Sequence, residues 1–376
     1  MVRNPPQPEA LAEESKIPGI PNARFWGDEP PQHLLAQLER PSEELKARYP
    51  ALAGVQHNYL AISGGGANGA FGAGFLSGWT DTGTRPEFTF VTGISTGALT
   101  APLAFLGPDW DPLLEEIFTR YSTKDLIRKR TPFAALTADA LVSTEGLKAI
   151  IDRIFDERML SAIASEWLTK GRPLLIGTTN LYALRPVLWR IQHIAASGEP
   201  SALALVRNVL LASASLPIAF PPVRIEVEAA GRRYDEMHID GGAVSQVFLY
   251  PPELSWDLFL KKLNVPSKPN VYLIRNSRLK PHWNATKPRV LPIALQTLTS
   301  LIRTQGIGDM FRVYLSSQRD GMNFHMVNIP DSFDFRPKEQ FDQDYMRKLF
   351  DVGRQLGRSK NPWYREPPGF STHTSA

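Results

Sequence analysis

The sequence of 376 residues contains no cysteine. This absence excludes disulfide bonds, thiolate metal sites and a cysteine nucleophile, although it does not assign a cellular compartment. Charge of one sign is also scarce, because 42 Lys and Arg residues oppose 38 Asp and Glu residues, for a net charge of +4. No extended basic patch indicates a nucleic-acid partner, and no spacing of histidine and carboxylate residues resembles a zinc site. We therefore expect no metal, no cofactor and no nucleic acid.

A long uninterrupted apolar run is missing as well. Residues 56–80 carry no Asp, Glu, Lys or Arg, and Gly74 and Gly78 have the spacing of a helix-packing motif. The glycine cluster at 64–66 interrupts this stretch where a membrane-spanning helix would have to continue. The sequence therefore predicts no transmembrane helix, while its 43% hydrophobic content is enough for a substantial core.

What the sequence does contain is a serine with a glycine two positions away on each side, in Gly93-Ile94-Ser95-Thr96-Gly97. A β-rich run, residues 87–92, precedes it, and residues 98–103 can start a helix. A serine on such a strand-to-helix turn is held in a strained conformation, and Gly93 and Gly97 leave room for it. The pattern predicts a nucleophile elbow with Ser95 exposed above the N-terminus of a helix.

A glycine-rich loop, residues 63–69, lies between a predicted strand (59–62) and a predicted helix (70–79). Consecutive glycines allow backbone N–H groups to approach an oxygen that becomes negative during acyl transfer. The loop also matches the G-x-G-x-x-G fingerprint of dinucleotide binding, but that alternative needs an acidic residue at the end of the next strand, which runs into Ser95 instead. We therefore predict an oxyanion hole formed by Gly64, Gly65, Gly66 and Ala67.

Asp240 begins the sequence Asp240-Gly241-Gly242 at the end of a predicted strand. A serine hydroxyl is a weak nucleophile until a base takes its proton, and an aspartate in a dry site can be that base. Asp-Gly is also a common turn signal, so this motif gains its weight from the other two. A histidine base is the alternative, and we prefer Asp240 to every candidate for it: His238, which shares a strand face with Asp240, and His282, His325 and His373.

These three motifs, in this order, resemble the patatin-like phospholipase family. The resemblance covers about residues 57–250 and includes the block 212–217 with its following Phe-Pro-Pro. It implies an α/β fold with three α/β/α layers around a mostly parallel sheet, and a Ser95–Asp240 dyad that acts without histidine. It also implies hydrolysis of carboxylic esters of lipids through an acyl-enzyme. One departure is Asn68, which stands where the family often has Arg or Lys.

The same residues leave other functions open. Transfer of the acyl chain to an alcohol would use the same dyad, and a non-catalytic lipid-binding relative would keep the fold. We expect a lipid or another ester as substrate. Contact with a membrane surface would involve the basic cluster 124–130, for which a solvated helix end is the simpler interpretation. The oligomeric state is not predicted.

The chain divides into an N-terminal extended arm with a short helix (1–50), an acyl hydrolase domain (51–358) and a loose tail (359–376). Strands alternate with helices from residue 59 onwards, with strands after Ser95 predicted over 173–178, 187–194 and 271–274. This alternation favours a mostly parallel sheet covered on both faces. The helical segment 111–167 is expected to shape the acyl pocket. Apolar residues at helical spacing predict a core stripe, with a lid or membrane-facing helix as the alternative: Leu291, Leu295, Leu298, Leu301 and Ile302.

The first residues carry no apolar signal region after Met1, and the proline-rich segment 2–8 is typical of an extended tether. A chain whose export signal or lipid-bearing cysteine had been replaced by an initiating methionine would look the same. We therefore expect the bacterial cell envelope or periplasm, with a lipid anchor in the native precursor, in preference to the cytoplasm.

Overall fold

The computed structural model describes residues 3–129, 142–251, 253–281, 283 and 285–370. Its strands are β1 (Arg24–Trp26), β2 (Asn58–Ile62), β3 (Phe90–Ile94), β4 (Arg128–Lys129), β5 (Val142–Ser143), β6 (Leu174–Asn180), β7 (Arg185–Arg190), β8 (Val223–Ala229), β9 (Arg232–Asp240), β10 (Asn270–Arg275) and β11 (Asn323–Asn328). Its α-helices are α1 (Gln32–Glu39), α2 (Ser42–Arg48), α3 (Gly69–Asp81), α4 (Thr96–Leu106), α5 (Asp111–Thr119), α6 (Thr123–Leu126), α7 (Glu145–Ile154), α8 (Glu157–Lys170), α9 (Ile191–Ala195), α10 (Ala202–Ser213), α11 (Trp256–Lys262), α12 (Val290–Arg319) and α13 (Gln343–Gly357).

The main sheet has a parallel centre with the strand order β11-β10-β2-β3-β6. Beyond β6, strands β7 and β1 continue the sheet in antiparallel fashion. Strand β9 also pairs with β6 antiparallel and carries β8 at its other edge. The expectation of a mostly parallel central sheet is confirmed, and the antiparallel strands lie at one side of it.

Helices cover both faces of this sheet. Leu60 and Ile62 of β2 belong to one apolar core, whereas Tyr59 and Ala61 belong to a second core. Successive side chains of a strand point to opposite faces, so the two cores lie on the two sides of the sheet. Helices α3, α4, α5 and α13 contribute to the first core, and α2, α11 and the second half of α12 contribute to the other. The three-layer α/β/α architecture is thereby confirmed.

Helices α3 and α13 pack at unusually close range. A Cβ atom placed on Gly74 would lie 2.0 Å from the carbonyl oxygen of Phe350, and one on Gly78 would lie 2.1 Å from that of Arg354. Only glycine allows this approach, so both positions require it. In the described part of the chain, no helix is both long enough and apolar enough to cross a membrane.

The N-terminal region packs onto the main body. Strand β1 pairs with β7, and Leu45 of α2 is fully buried. Helix α2 confirms the predicted short helix. The domain boundaries at residues 50 and 358 stay predictions, and residues 1–2 and 371–376 lie outside the described part.

Two predictions about individual elements are wrong. The strand expected over 187–194 ends at Arg190, where helix α9 begins. The core stripe expected for Leu291 to Ile302 is also absent, because every buried residue of α12 lies at or beyond Gly306. Only this second half of α12 packs against the sheet, so Leu301 in the first half is 63% exposed. Apolar spacing identified the helix but not the part of it that is covered.

Candidate active site

Ser95 lies on the tight turn between β3 and α4. Its backbone has φ 56° and ψ −124°, a conformation that non-glycine residues rarely adopt. A Cβ on Gly93 would lie 2.4 Å from the carbonyl oxygen of Gly97, and one on Gly97 would lie 2.4 Å from that of Ile62. Both positions therefore require glycine, and the turn has the geometry expected of a nucleophile elbow.

The turn is fixed from below by Ser213 at the end of α10. The N–H of Ser95 donates to Ser213 Oγ at 2.9 Å, and this hydroxyl in turn donates to the carbonyl oxygen of Gly177 at 2.7 Å. Ser213 is completely buried. It belongs to the block 212–217 that carried part of the family resemblance, but the motif did not indicate this role.

Asp240 ends strand β9 directly beside Ser95. The Ser95 Oγ donates to Asp240 Oδ2 at 2.6 Å, and the N–H of Gly242 donates to Oδ1 at 2.7 Å. The antiparallel pairing of β9 with β6 sets Asp240 opposite Thr178, next to the strand that leads to Ser95. The two residues are therefore in contact although 145 positions separate them in the sequence.

The surroundings of Asp240 favour its protonated form. The residue is only 3% exposed, and burial raises its pKa from the ordinary value of 3.8 to about 7, against the opposing effect of the bonds from Ser95 and Gly242. A carboxylate with a pKa near neutrality is a much stronger base than an exposed aspartate and is still ionised in a large fraction of molecules at pH 7.

The glycine loop faces the same site. A Cβ on Gly64 would lie 3.1 Å from Ser95 Cβ, and one on Gly65 would lie 2.5 Å from the carbonyl oxygen of Asn276. Gly66 has φ 56°. The N–H of Gly64 donates to the carbonyl oxygen of Gln246 at 3.1 Å. Among the described residues, none accepts a hydrogen bond from the N–H of Gly65 or Gly66.

Asn68 lies within this loop, at the position where the family often has a cation. The Tyr345 hydroxyl donates a hydrogen bond to Asn68 Oδ1 at 2.6 Å, and the amide N–H groups of Asn68 take no part in this bond. The loop itself stays neutral. The positive charges of the site come from other elements.

A cavity of about 770 Å³ opens above Ser95 and Asp240. One side of it is apolar and is formed by α5, α6, α7 and the residues next to them. Part of segment 111–167 therefore lines the cavity, and its role as an acyl pocket stays a prediction; residues 130–141 lie outside the described part. The apolar side chains from this segment are Ile117, Phe118, Leu126, Ile127, Leu147, Ile150, Ile151, Ile154 and Phe155.

Another part of the cavity lining is basic. Arg275, at the end of β10, is 3% exposed and donates from Nη1 to the carbonyl oxygen of Gly306, while its Nε has no hydrogen-bond partner among the described residues. The Nε of Arg303 likewise lacks one there. Burial and the nearby Arg303 lower the pKa of Arg275 to about 10, against the opposing effect of Asp309, so Arg275 remains charged at neutral pH. Further cations in this part of the lining are Arg278, Lys280 and Arg336.

Arg275 was not predicted as a site residue, although the sequence held a signal for it. The residue directly follows the predicted strand 271–274. Ligands of open parallel sheets bind beyond the carboxyl ends of the strands. A basic residue at such a strand end was therefore a candidate.

Histidine does not reach Ser95 in the described part of the chain. Both ring nitrogens of His238 are engaged, Nδ1 with the Thr178 hydroxyl at 2.9 Å and Nε2 with Glu236 at 3.0 Å. His325 lies on β11 with its Nδ1 near the carbonyl oxygen of Asn323, and it does not line the cavity. His282 and His373 lie outside the described residues.

Across the residues that the structure describes, no group of three or more histidine and carboxylate side chains could hold a metal ion. The basic cluster 124–130 is only partly described, because Arg130 and the side chains of Arg128 and Lys129 lie outside the described part.

Comparison with protein families gives a direct match. The family model described as Patatin-like phospholipase matches residues 60–251, a little more than half of the chain. This range contains the glycine loop, Ser95 and Asp240. No curated protein matches the chain significantly.

Three solved structures are similar to this chain at low identity. VipD from Legionella pneumophila is 15% identical with a TM-score of 0.36, over 80% of this chain and 68% of that chain. Human GIVD cytosolic phospholipase A2 is 14% identical with a TM-score of 0.28, over 84% of this chain and 54% of that chain. The type III effector protein ExoU is 13% identical with a TM-score of 0.22, over 81% of this chain and 54% of that chain. At these TM-scores the likenesses carry no weight for the fold or the function.

Proposed function

The chain belongs to the patatin-like phospholipase family, a family of hydrolases, and we propose that it cleaves carboxylic ester bonds of lipids with Ser95 as nucleophile and Asp240 as base. The observation that carries this proposal is the 2.6 Å hydrogen bond from Ser95 Oγ to Asp240 Oδ2 at the floor of the cavity. A hydroxyl on a strained turn, bonded to a desolvated carboxylate, is an activated nucleophile.

The proposed reaction has two steps. As Ser95 Oγ attacks the ester carbonyl, its proton passes to Asp240, and the alcohol leaves with that proton. Asp240 then takes a proton from water as the water attacks the carbonyl carbon of the acyl-enzyme. The bond between this carbon and Ser95 Oγ breaks, Asp240 returns the proton to Ser95 Oγ, and the fatty acid is released. The pKa of Asp240, raised to about 7 by burial, suits both directions of proton transfer near neutral pH.

The oxyanion that forms in each step would be held by backbone N–H groups of the glycine loop. Gly65 and Gly66 have N–H groups without a partner in the described part of the chain, and Ala67 follows them. Gly64 has a different role in this proposal, because its N–H already donates to Gln246. Its lack of a side chain keeps the loop within reach of Ser95.

The two sides of the cavity support a phospholipid as substrate. The apolar side, with Leu147 and Ile151, would take the acyl chain. Arg275 and Arg303 on the basic side each keep a buried Nε without a partner in the described residues. A buried guanidinium is costly unless an anion accompanies it, and the phosphate of a phospholipid would supply that anion.

The test is hydrolysis of p-nitrophenyl esters with short to long acyl chains by the wild type, Ser95→Ala, Asp240→Asn and the control Ser165→Ala, whose side chain is exposed on α8. We expect losses of about a thousandfold or more for the first two variants and no change for the control. Full activity of a correctly folded Ser95→Ala variant would overturn the choice of nucleophile. An inert wild type would favour the non-catalytic lipid-binding alternative.

Acyl transfer to an alcohol remains the second candidate for the same dyad. Adding glycerol or a lysolipid to the assay distinguishes it from hydrolysis, since a transferase forms a new ester in place of free fatty acid.

For the cellular location, we propose the cell envelope. Fractionation of the native host and mass spectrometry of the native N-terminus test it, and an unprocessed Met1 in the cytoplasm would contradict it.

A further inference from the structure

The first half of α12 turns several apolar side chains towards solvent. Gln296, Ile302 and Arg303 of this half line the cavity. On the side of the helix away from the cavity, Val290 is 87% exposed and Leu301 63%, and Ile293, between the two sides, is 50% exposed. Apolar residues of a surface helix normally face inward.

A further exposed apolar side chain lies at the cavity. Trp283 is 87% exposed, and it lines the cavity together with Lys280 and Pro281. Tryptophan is enriched where a membrane meets water, because its ring is apolar and its N–H is polar. We call the following set the rim surface: Lys280, Trp283, Lys287, Arg289, Val290, Leu291, Ile293 and Leu301.

The charge of this region has a single sign. From residue 280 to residue 308 the sequence has four Lys or Arg residues and no Asp or Glu. Lys287 and Arg289 are exposed beside Val290. The Lys280 side chain is 80% exposed, although its Nζ lies 3.2 Å from Oδ2 of Asp331. Exposed apolar side chains flanked by exposed cations are typical of segments that bind anionic membrane surfaces.

We propose that the rim surface inserts into the headgroup region of an anionic phospholipid bilayer and thereby places the cavity mouth against the lipid. This inference rests on the proposed function, because it states how the substrate reaches Ser95. A protein bound to the same face would cover the mouth of the cavity. A lipid surface covers the apolar side chains and supplies the substrate at the same place.

Binding is measured separately from catalysis with the Ser95→Ala variant, which leaves the lipid intact. Cosedimentation uses vesicles of phosphatidylcholine alone or mixed with phosphatidylglycerol, at low and high salt. We expect binding to the anionic vesicles, weakened by salt. In this background, Leu301→Gln lowers the partition coefficient about tenfold, and Lys287→Gln lowers it about fivefold. The matched controls are Leu168→Gln, 71% exposed on α8, and Lys261→Gln, 72% exposed in its side chain on α11.

Each outcome decides the proposal. Equal losses in Leu301→Gln and Leu168→Gln, or no binding to anionic vesicles, would overturn it. A wild type that is dimeric by sedimentation velocity, and that Leu301→Gln converts to a monomer, would assign this face to a second copy of the chain and also overturn it. In the active protein, the ratio of vesicle hydrolysis to soluble-ester hydrolysis falls with Leu301→Gln. A wild type that binds vesicles yet hydrolyses neither substrate leaves the docking intact and refutes the proposed function.

Discussion

Replacing Asp240 by Asn should stabilise the folded protein while removing its activity. Asp240 is buried, and its pKa is raised from 3.8 to about 7 by that burial. A group whose pKa is higher in the folded state favours folding while it is protonated and opposes folding once it ionises. The folded wild type therefore loses stability as the pH rises from about 3.8, and the loss is complete above about 7.

The magnitude follows from the difference of about three pKa units. At about 1.4 kcal/mol per unit, ionised Asp240 costs roughly 4 kcal/mol at pH 8, and less than about 1 kcal/mol at pH 4. Asn at this position cannot ionise and escapes this cost. With an unfolding entropy of roughly 2 cal/mol/K per residue, the chain should gain about 5 °C in Tm at pH 8 relative to the wild type.

The assay is thermal unfolding, followed by far-UV circular dichroism, of the wild type, Asp240→Asn and the control Asp109→Asn at pH 4 and pH 8. Asp109 is exposed, so its replacement changes the charge without changing a buried group. The Tm difference between Asp240→Asn and the wild type is measured at each pH, and the value at pH 4 is subtracted from the value at pH 8. Losses in Tm that are common to both pH values cancel in this subtraction. If that gain were no larger than in Asp109→Asn, Asp240 would not be a desolvated carboxylate, and the reasoning from burial to basicity would fail.

Three further predictions concern the same site. The kcat/KM for a soluble ester should rise with pH through an apparent pKa near 7 and reach about a tenth of its plateau at pH 6, because Asp240 must be ionised to act as base; a profile flat down to pH 5 would contradict this. Gly97→Ala should lower the free energy of unfolding by about 1–3 kcal/mol in urea titrations, because its Cβ would lie 2.4 Å from the carbonyl oxygen of Ile62. The control Gly308→Ala has open space around it and should not be destabilising. The ratio of kcat/KM for a phospholipid to kcat/KM for an uncharged ester of equal chain length should fall by about tenfold or more in Arg303→Met. The control Arg312→Met, at an exposed position, should leave this ratio unchanged.

The candidate dyad could be predicted because each partner lies in a short motif with its own physical logic. Ser95 needs glycines two positions away on both sides, and these positions are visible in any sequence. Asp240 is brought to Ser95 by the pairing of β9 with β6, a contact over a long sequence separation that no local pattern encodes. The family resemblance, not periodicity, supplied that juxtaposition.

Other features could not be predicted for the same reason. Helical spacing identified the apolar residues of α12, but it does not tell whether sheet, cavity or solvent lies on that side. The N-terminal strand β1 is only three residues long, and it forms because β7 offers it an edge. The use of the Gly64 N–H by Gln246 likewise depends on a loop that is distant in sequence.

The close packing of α3 against α13 has a consequence for how the glycine loop is held in place. Helix α3 follows the glycine loop, and the hydroxyl of Tyr345 on α13 donates a hydrogen bond to Asn68 near the end of that loop. These two residues are 277 positions apart in the sequence, so the loop depends on a helix that comes long after all three motifs. A fragment that stops before α13 would carry Ser95 and Asp240 but would lack the helix that supports the loop beside them.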